Sequence, residues 1–348
     1  MGTYIIRRIL LMIPTFIGIT MIAYSVMWVV PGGPVEQAIL QYQASMQGMG
    51  GGEVSSGGDT TAGGSTGISE EMVQELKAIY GFDKPIYIAY LNWLGKVVQC
   101  DLGESWQYQK PVWDLIKSRF PVSLFFGGTG FILAYLICIP LGVWKAVRHQ
   151  SLFDWSTSAL VFAAYSIPGF AAGVVLLVLF GGGTYWDVFP LGGLHSMNYE
   201  DLTFWGKVAD RARHSVLPIF CYVLPFFATT TVLMKNSLME NLAQDYVRTA
   251  FAKGLNERVV IFKHALRNSL IPIATGLGHF FSILLAGSYL IEKVFNIHGF
   301  GLLGYGSLLA RDYPVTLGIL VISSILRLIG NLTSDMIYAV VDPRIRFK

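Results

Sequence analysis

The chain has 348 residues, 53% of them hydrophobic and only 14% charged, with a formal net charge of +3. An ordinary soluble domain carries about a quarter charged residues, so this chain has too few to face water over its whole surface. The small positive balance, with no concentrated basic stretch, excludes a nucleic-acid partner.

Charge-free runs mark where the chain crosses a bilayer. Between Arg8 and Glu36 lie 27 uncharged residues, between Arg119 and Lys145 lie 25, and between Asp154 and Asp187 lie 32. Arg213 and Lys235 enclose 21, and Arg267 and Glu292 enclose 24; the stretch from Tyr313 to Ser334 is broken only by Arg327. About 20 apolar residues cross hydrocarbon as a helix. The runs therefore predict an all-α polytopic membrane protein with six spans, near residues 9–30, 121–144, 154–182, 214–235, 270–292 and 314–341.

Arg7 and Arg8 precede the first run, but the run is too long for a signal peptide's apolar region. Pro31-Gly32-Gly33-Pro34 is a poor cleavage site. A retained first helix is expected, within a segment 1–30. The loop that follows, 31–120, is too large to be a plain connection. Its part from Ser45 to Gly67 has nine glycines in 23 residues, a composition that cannot bury enough apolar surface to offset its ordering entropy. A helix is expected to start at Ser69, an N-cap followed by Glu70 and Glu71, and to end at Gly81. Met72, Val73, Leu76, Ile79 and Tyr80 give it an apolar stripe. Trp93, Trp106 and Trp113 belong to the remainder of the loop, where packing or interfacial anchoring is the favoured role over a partner surface.

Lys and Arg near the span ends set orientation. With the N-terminus inside, the inside segments hold thirteen basic residues and the two short outside loops hold five, Lys207, Arg211, Arg213, Lys293 and Arg311. Both termini are therefore expected in the cytoplasm, with 31–120 outside, a core of five helices over 121–341 and a tail at 342–348. Pro140, Pro168, Pro218, Pro225 and Pro272 lie within or at the mouths of spans, where neighbouring groups must satisfy the freed carbonyls. Cys100, Cys138 and Cys221 have neither disulfide nor metal spacing, and burial is expected for the last two.

Between spans four and five, the segment Asn241–Pro272 reads as two short helices with a hinge, inside a cytoplasmic loop 236–269. Leu242, Tyr246 and Ala250 recur at i+4, and Val247 and Phe251 join them to give an apolar side. Gly254 is a natural C′ residue and Asn256 a natural N-cap. Small residues at the turn allow a partner close approach, and a soluble protein can dock there by laying a helix in a groove.

Other motifs carry less. Gly299, Gly301 and Gly304 spell G-x-G-x-x-G, but not between a strand and a helix of a βαβ unit, so they predict a tight re-entry toward the bilayer rather than a dinucleotide site. No G-x-x-x-x-G-K-[ST] occurs, the six histidines stand alone, and Asp335 has no second Asp to make an intramembrane protease. An enzyme is disfavoured, and no catalytic, cofactor or metal residue is assigned. Arg327 costs roughly 2.5–3.5 kcal/mol at a helix centre, so it is expected to face the bundle interior or water. With Asn331 and Asp335, one and two turns on, it forms either a structural seam or part of a translocation path.

The run Asp245-Tyr246-Val247-Arg248-Thr249-Ala250, with Ala252-Lys253-Gly254-Leu255 and His264-Ala265-Leu266-Arg267-Asn268 to Ile271-Pro272, resembles the cytoplasmic "EAA" coupling loop of bacterial ABC importer permeases. In particular it looks like the B-type permease of dipeptide and oligopeptide transporters. The likeness extends to Tyr4-Ile5-Ile6-Arg7-Arg8, Pro31-Gly32-Gly33-Pro34, Tyr80-Gly81-Phe82-Asp83-Lys84-Pro85, Arg311-Asp312-Tyr313-Pro314 and Val341-Asp342-Pro343-Arg344. The glycine-rich insert, Phe189-Pro190-Leu191, Lys235-Asn236-Ser237 and Gly299 to Tyr305 are similar to the Yej-type branch, associated with peptide and microcin C uptake. Phe251 departs from the Arg common in the family, and Arg248 stands where the EAA pattern opens with an acid.

The resemblance implies an ATP-driven importer of peptides in a bacterial inner membrane, working by alternating access. It implies as partners a second homologous permease, two ATPase subunits or one tandem ATPase, a periplasmic peptide-binding protein and membrane lipid. ATP and Mg would be held by those partner subunits and no cofactor by this chain. Asp245, Tyr246, Val247, Arg248, Thr249, Ala250, Phe251, Lys253, Gly254 and Leu255 would be the residues of the ATPase-coupling loop. The rival class is a secondary transporter or channel without ATPases, which would be expected to carry more intramembrane ionisable groups than Arg327 and Asp335.

Overall fold

The computed structural model describes residues 2–30, 74, 83–182, 185–277, 280 and 288–341. The insert at 45–67, the expected helix from Ser69 to Gly81 (Gln74 apart) and the tail 342–348 lie outside the described residues.

Regular structure among the described residues is helical, with two isolated bridges, Glu104 to Pro111 and Gly181 to Phe189. Helix α1 is Gly2–Val29, α2 Ile86–Val98, α3 Val112–Val147, α4 Leu152–Ser166, α5 Gly169–Phe180 and α6 Phe204–Leu242. Short helices follow: α7 Asp245–Ala252, α8 Glu257–Val259, α9 Leu266–Ser269, α10 Ile271–Gly276, α11 Tyr289–Val294 and α12 Phe300–Leu309. The last helix is α13, Tyr313–Val341.

Among the described residues, four helices are long and apolar enough to cross a membrane: α1, α3, α6 and α13. A fifth crossing can be assembled from α4 and α5, which meet at 97°. The break falls at Ile167–Pro168, because a residue before proline is pushed out of the helical region; Ile167 is extended, with φ −99° and ψ 117°. By contrast, Pro140, Pro218 and Pro225 sit inside continuous helices. Of the expected span 270–292 the structure describes mainly the ends, α10 and α11.

Helix boundaries differ from the charge-free runs in one direction. Helix α3 starts nine residues before 121, so Trp113 belongs to a helix rather than to a separate outer element. Helix α6 continues through Lys235 to Leu242, so 236–242 is not loop. Hydropathy marks only the hydrocarbon-crossing part of a helix; hydrogen bonding carries the coil on into polar flanks.

Two compact units divide the chain. One comprises Ile13–Leu115 and Gly306–Val321. In it, Thr20 Oγ1 lies 3.0 Å from Tyr90 OH, which also donates to the Ile17 carbonyl. Asp312, 1% exposed, accepts from Ser105 Oγ and from the backbone N–H of Trp106 and Gln107 at 3.3 Å each. Trp106 packs on Tyr313 and Trp93 on Tyr24 and Tyr90, so both tryptophans take the packing role expected for them.

The other unit comprises Met1–Met12, Ile116–Tyr305 and Ile322–Lys348. Its α3 and α6 touch at backbone distance. A Cβ on Gly142 would meet Met234 Cβ at 2.6 Å, and one on Gly130 would meet Tyr222 Cβ at 2.7 Å. Apolar side chains gain little by leaving lipid for a helix interface, so close van der Waals approach at small residues does the holding there. Cys138 and Cys221 are fully buried, as expected.

Candidate functional site

The segment after α6 turns sharply. Ala243 ends α6, and Gln244, extended at ψ 150°, opens α7. Asp245 in the first turn complements the helix dipole. Its exposed pairing with Arg248, at 3.6 Å, contributes at most about 1 kcal/mol. The turn that follows is a Schellman motif. Gly254 has φ +76°, its N–H donates to the Phe251 carbonyl, and Leu255 N–H donates to the Ala250 carbonyl. Within the chain, nothing lies within 4 Å of a Cβ built on Gly254, so backbone conformation and not crowding requires glycine. Asn256 caps the next helix by accepting from Arg258 N–H at 3.1 Å. That helix runs from α8 through a π-helical stretch, Val260–Ala265, into α9.

Helix α7 has two apolar sides, and the structure buries the smaller one. Val247 and Ala250 enter a cluster with Val143, Ala146, Met234, Leu238, Val260 and Ala265. Tyr246 and Phe251, placed with them by the sequence pattern, point outward instead: they are 38% and 47% exposed. Small residues face inward because they let α7 pack closely on the Val260–Ala265 stretch, in a cluster shared with residues of α3 and α6. Tyr246 OH donates to Asn241 Oδ1, which fixes the ring at the start of the helix. Leu255, Val259 and Phe262 extend the exposed apolar surface.

Two polar clamps hold this platform, and the sequence announces neither pairing. Ser237 Oγ donates to the Ser269 carbonyl at 2.9 Å, and Ser269 Oγ lies 3.3 Å from the Ser237 carbonyl, tying α9 to α6. Beside it, Asp154 at the start of α4 receives Lys235 Nζ from α6 on both oxygens, at 2.8 and 2.7 Å. Lys145 Nζ from α3 reaches the same carboxylate at 3.1 Å and also donates to Thr157 and Ser158. Lys145 is 1% exposed and Asp154 5%.

The second candidate set does not converge inside the chain. Arg327 and Asn331, expected to face the bundle interior or water, are exposed along α13 in this chain. A helix can turn a costly arginine outward only where protein or water meets it there. Asp335 has a partner, Arg8 of α1, at 3.0 Å.

The glycine run is explained by an internal carboxylate. Glu292, 1% exposed, accepts from Leu302 N–H at 2.6 Å and Gly301 N–H at 3.4 Å, at the start of α12. Ser123 Oγ donates to it and accepts from Phe300 N–H. A Cβ on Gly299 would fall inside the carboxylate group, 2.8 Å from Oε2. Those backbone donors hold the carboxylate in place, so Gly299→Ala is expected to destabilise the protein by about 1–3 kcal/mol, the usual range for overpacking. A thermal melt in detergent checks this, and a wild-type melting curve would refute it.

Comparison with known proteins bears on the same segment. The family described as "Binding-protein-dependent transport system inner membrane component" matches residues 138–347. The peptidoglycan transport system permease protein YejB of Agrobacterium fabrum is 42% identical over 100% of this chain and 99% of that protein. The inner membrane ABC transporter permease protein YejB of Escherichia coli is 40% identical over the whole of both. The dipeptide transport system permease protein DppB of Escherichia coli is 34% identical over 99% of both.

Proposed function

This chain belongs to the family of binding-protein-dependent transport inner membrane components, and on that premise we propose that it is one permease half of an ATP-driven importer of peptides. Peptides released from peptidoglycan and microcin C-like peptides fall within that substrate class. The complete importer has this chain beside a second homologous permease, with two ATPase subunits or one tandem ATPase below and a peptide-binding protein outside. The membrane part has six crossings, the fifth over 270–292, both termini in the cytoplasm and 31–120 in the periplasm. ATP and Mg are bound by the ATPases.

One observation carries the coupling role. Helix α7 is seated on the helical core through Val247 and Ala250 while Tyr246, Phe251 and Leu255 remain outside. A handle must be fixed on one side and free on the other. Closing of the ATPases moves α7, and the seated side passes the displacement to α3 and α6. A conformational equilibrium shifts only by the difference in affinity of the ATPases for its two states, so the seat must be stiff. Arg327 and Asn331, exposed on α13, face the second permease and border the path; Asp335 is held by Arg8.

Reconstitution tests this. The chain with its partner permease, ATPases and binding protein should accumulate a labelled tripeptide in proteoliposomes only when ATP is hydrolysed. Uptake at the same rate by this chain without ATPases would overturn the proposal in favour of a secondary transporter or channel.

A further inference from the structure

The unit formed by Ile13–Leu115 and Gly306–Val321 contains a cleft of about 800 Å³, which no part of the coupling role uses. The C-terminal half of α1, helix α2, the turn at 101–106 and the first turns of α13 line it. Its volume lies in the range of about 300–1,000 Å³ typical of sites for compact ligands rather than of flat protein interfaces.

Aromatic rings build the walls. Tyr24 stacks against Trp28 with centroids 6.0 Å apart and lies 5.4 Å from Trp93, while Trp106 packs 5.6 Å from Tyr313 on another side. Rings locked against one another offer a rigid apolar surface that accepts many side chains with little ordering cost. Charges of both signs line the same space: Lys84 and Lys96 against Asp83, Asp101 and Glu104. All five are exposed, and among the described residues no ion pair joins any of them. Among the described residues, the Asp101 carboxylate accepts a backbone N–H, from Gly103 at 2.9 Å.

Apolar walls with ammonium and carboxylate groups of this chain left available match a ligand that is itself apolar in the middle and charged at both ends. A lipid tail would leave five charges unanswered, and a simple anion would meet three carboxylates. A short peptide with free termini fits: its carboxylate is answered by Lys84 or Lys96, its ammonium by the acids and by the faces of the tryptophans.

We propose that this cleft is a binding site for a short zwitterionic peptide. The site rests on the reading of the chain as a peptide permease, and deepens it by placing a holding site outside the coupling machinery.

The test uses the complete importer in proteoliposomes without ATP, and a tripeptide bearing a central benzophenone side chain with free termini. Ultraviolet adducts, mapped by mass spectrometry, should fall on Trp93 and Trp106 and be competed by excess trialanine. Blocking both termini should lower the yield at least tenfold. The double variant Lys84→Ala/Lys96→Ala, two exposed changes that leave the walls intact, should lower labelling by the free-acid peptide at least threefold and leave labelling by its amide unchanged. Trp93→Ala should remove the adduct at that position and lower the yield on Trp106. Adducts that appear only on a bound binding protein would overturn the site. ATP-driven uptake of the same peptide without cleft adducts would overturn the site alone. Adducts without ATP-driven uptake would support the site and overturn the importer.

Discussion

Asp154→Ala is expected to destabilise the protein by about 3–5 kcal/mol, the cost of removing one member of a buried ion pair. The size follows from what remains. Lys145, 1% exposed, keeps Thr157, Ser158 and the residue-154 carbonyl as acceptors but has no anion nearby. Lys235 is better placed, because its side chain is 15% exposed and its stem can carry the ammonium toward water. The damage therefore concentrates on Lys145, and the double variant Lys145→Met/Asp154→Leu should recover most of the loss, since an apolar replacement of a buried pair is often neutral. Denaturant titration of the purified importer in detergent gives both numbers. A single variant within about 1 kcal/mol of wild type, or a double variant no better than the single, would show that the network does not hold α3, α4 and α6 together. The same variants should slow uptake more than their residual folded fraction explains, because Val143, Ala146 and Met234 neighbour the paired lysines and form the seat of α7.

What was legible in the sequence was local or compositional. The long apolar runs announced α1, α3, α6 and α13 because a hydrocarbon core dictates one property over many consecutive residues. Gly254 and Asn256 could be read as caps because capping chemistry involves only neighbours. Pairings across sequence were not legible. Lys145, Asp154 and Lys235 appeared as charges that delimit the runs and set orientation, yet Lys235 lies 81 residues from the carboxylate it grips. Asp335 looked like a lone acid in the last helix, and its partner is at the other end of the chain. Helix α7 failed for a different reason. An eight-residue helix with apolar groups on two sides has no unique inward face by periodicity, and only the tertiary cluster with Val260, Ala265 and residues of α3 and α6 decides that valine and alanine enter. Glu292 marked the end of a run, and nothing in its neighbourhood announced that the glycines seven and nine residues on would wrap it.

Replacing Phe251 by Asp should sever this chain from its ATPases while leaving the fold intact. The ring is 47% exposed in the chain, so its removal opens no cavity, and Asp on an exposed helical position costs only about half a kcal/mol in propensity. The same ring is the largest apolar group on the exposed side of α7, the side that meets the ATPases in the proposed importer. Aromatic anchors at interface centres typically contribute about 2 kcal/mol or more, roughly a thirtyfold change in affinity, and a buried carboxylate adds a desolvation penalty beyond that. Pull-down should therefore lose the ATPase subunits, and uptake should fall to background, at an unchanged melting temperature. Phe251→Arg should be milder, because its long stem can cover apolar surface while the guanidinium reaches the rim. Val247→Asp supplies the contrast: Val247 is 1% exposed in the seat, so this change must lower the melting temperature as well as uptake. If Phe251→Asp keeps its ATPases and its peptide-stimulated ATP hydrolysis, the free side of α7 is not what the motor grips, and the force must enter through the Glu257–Ser269 segment instead.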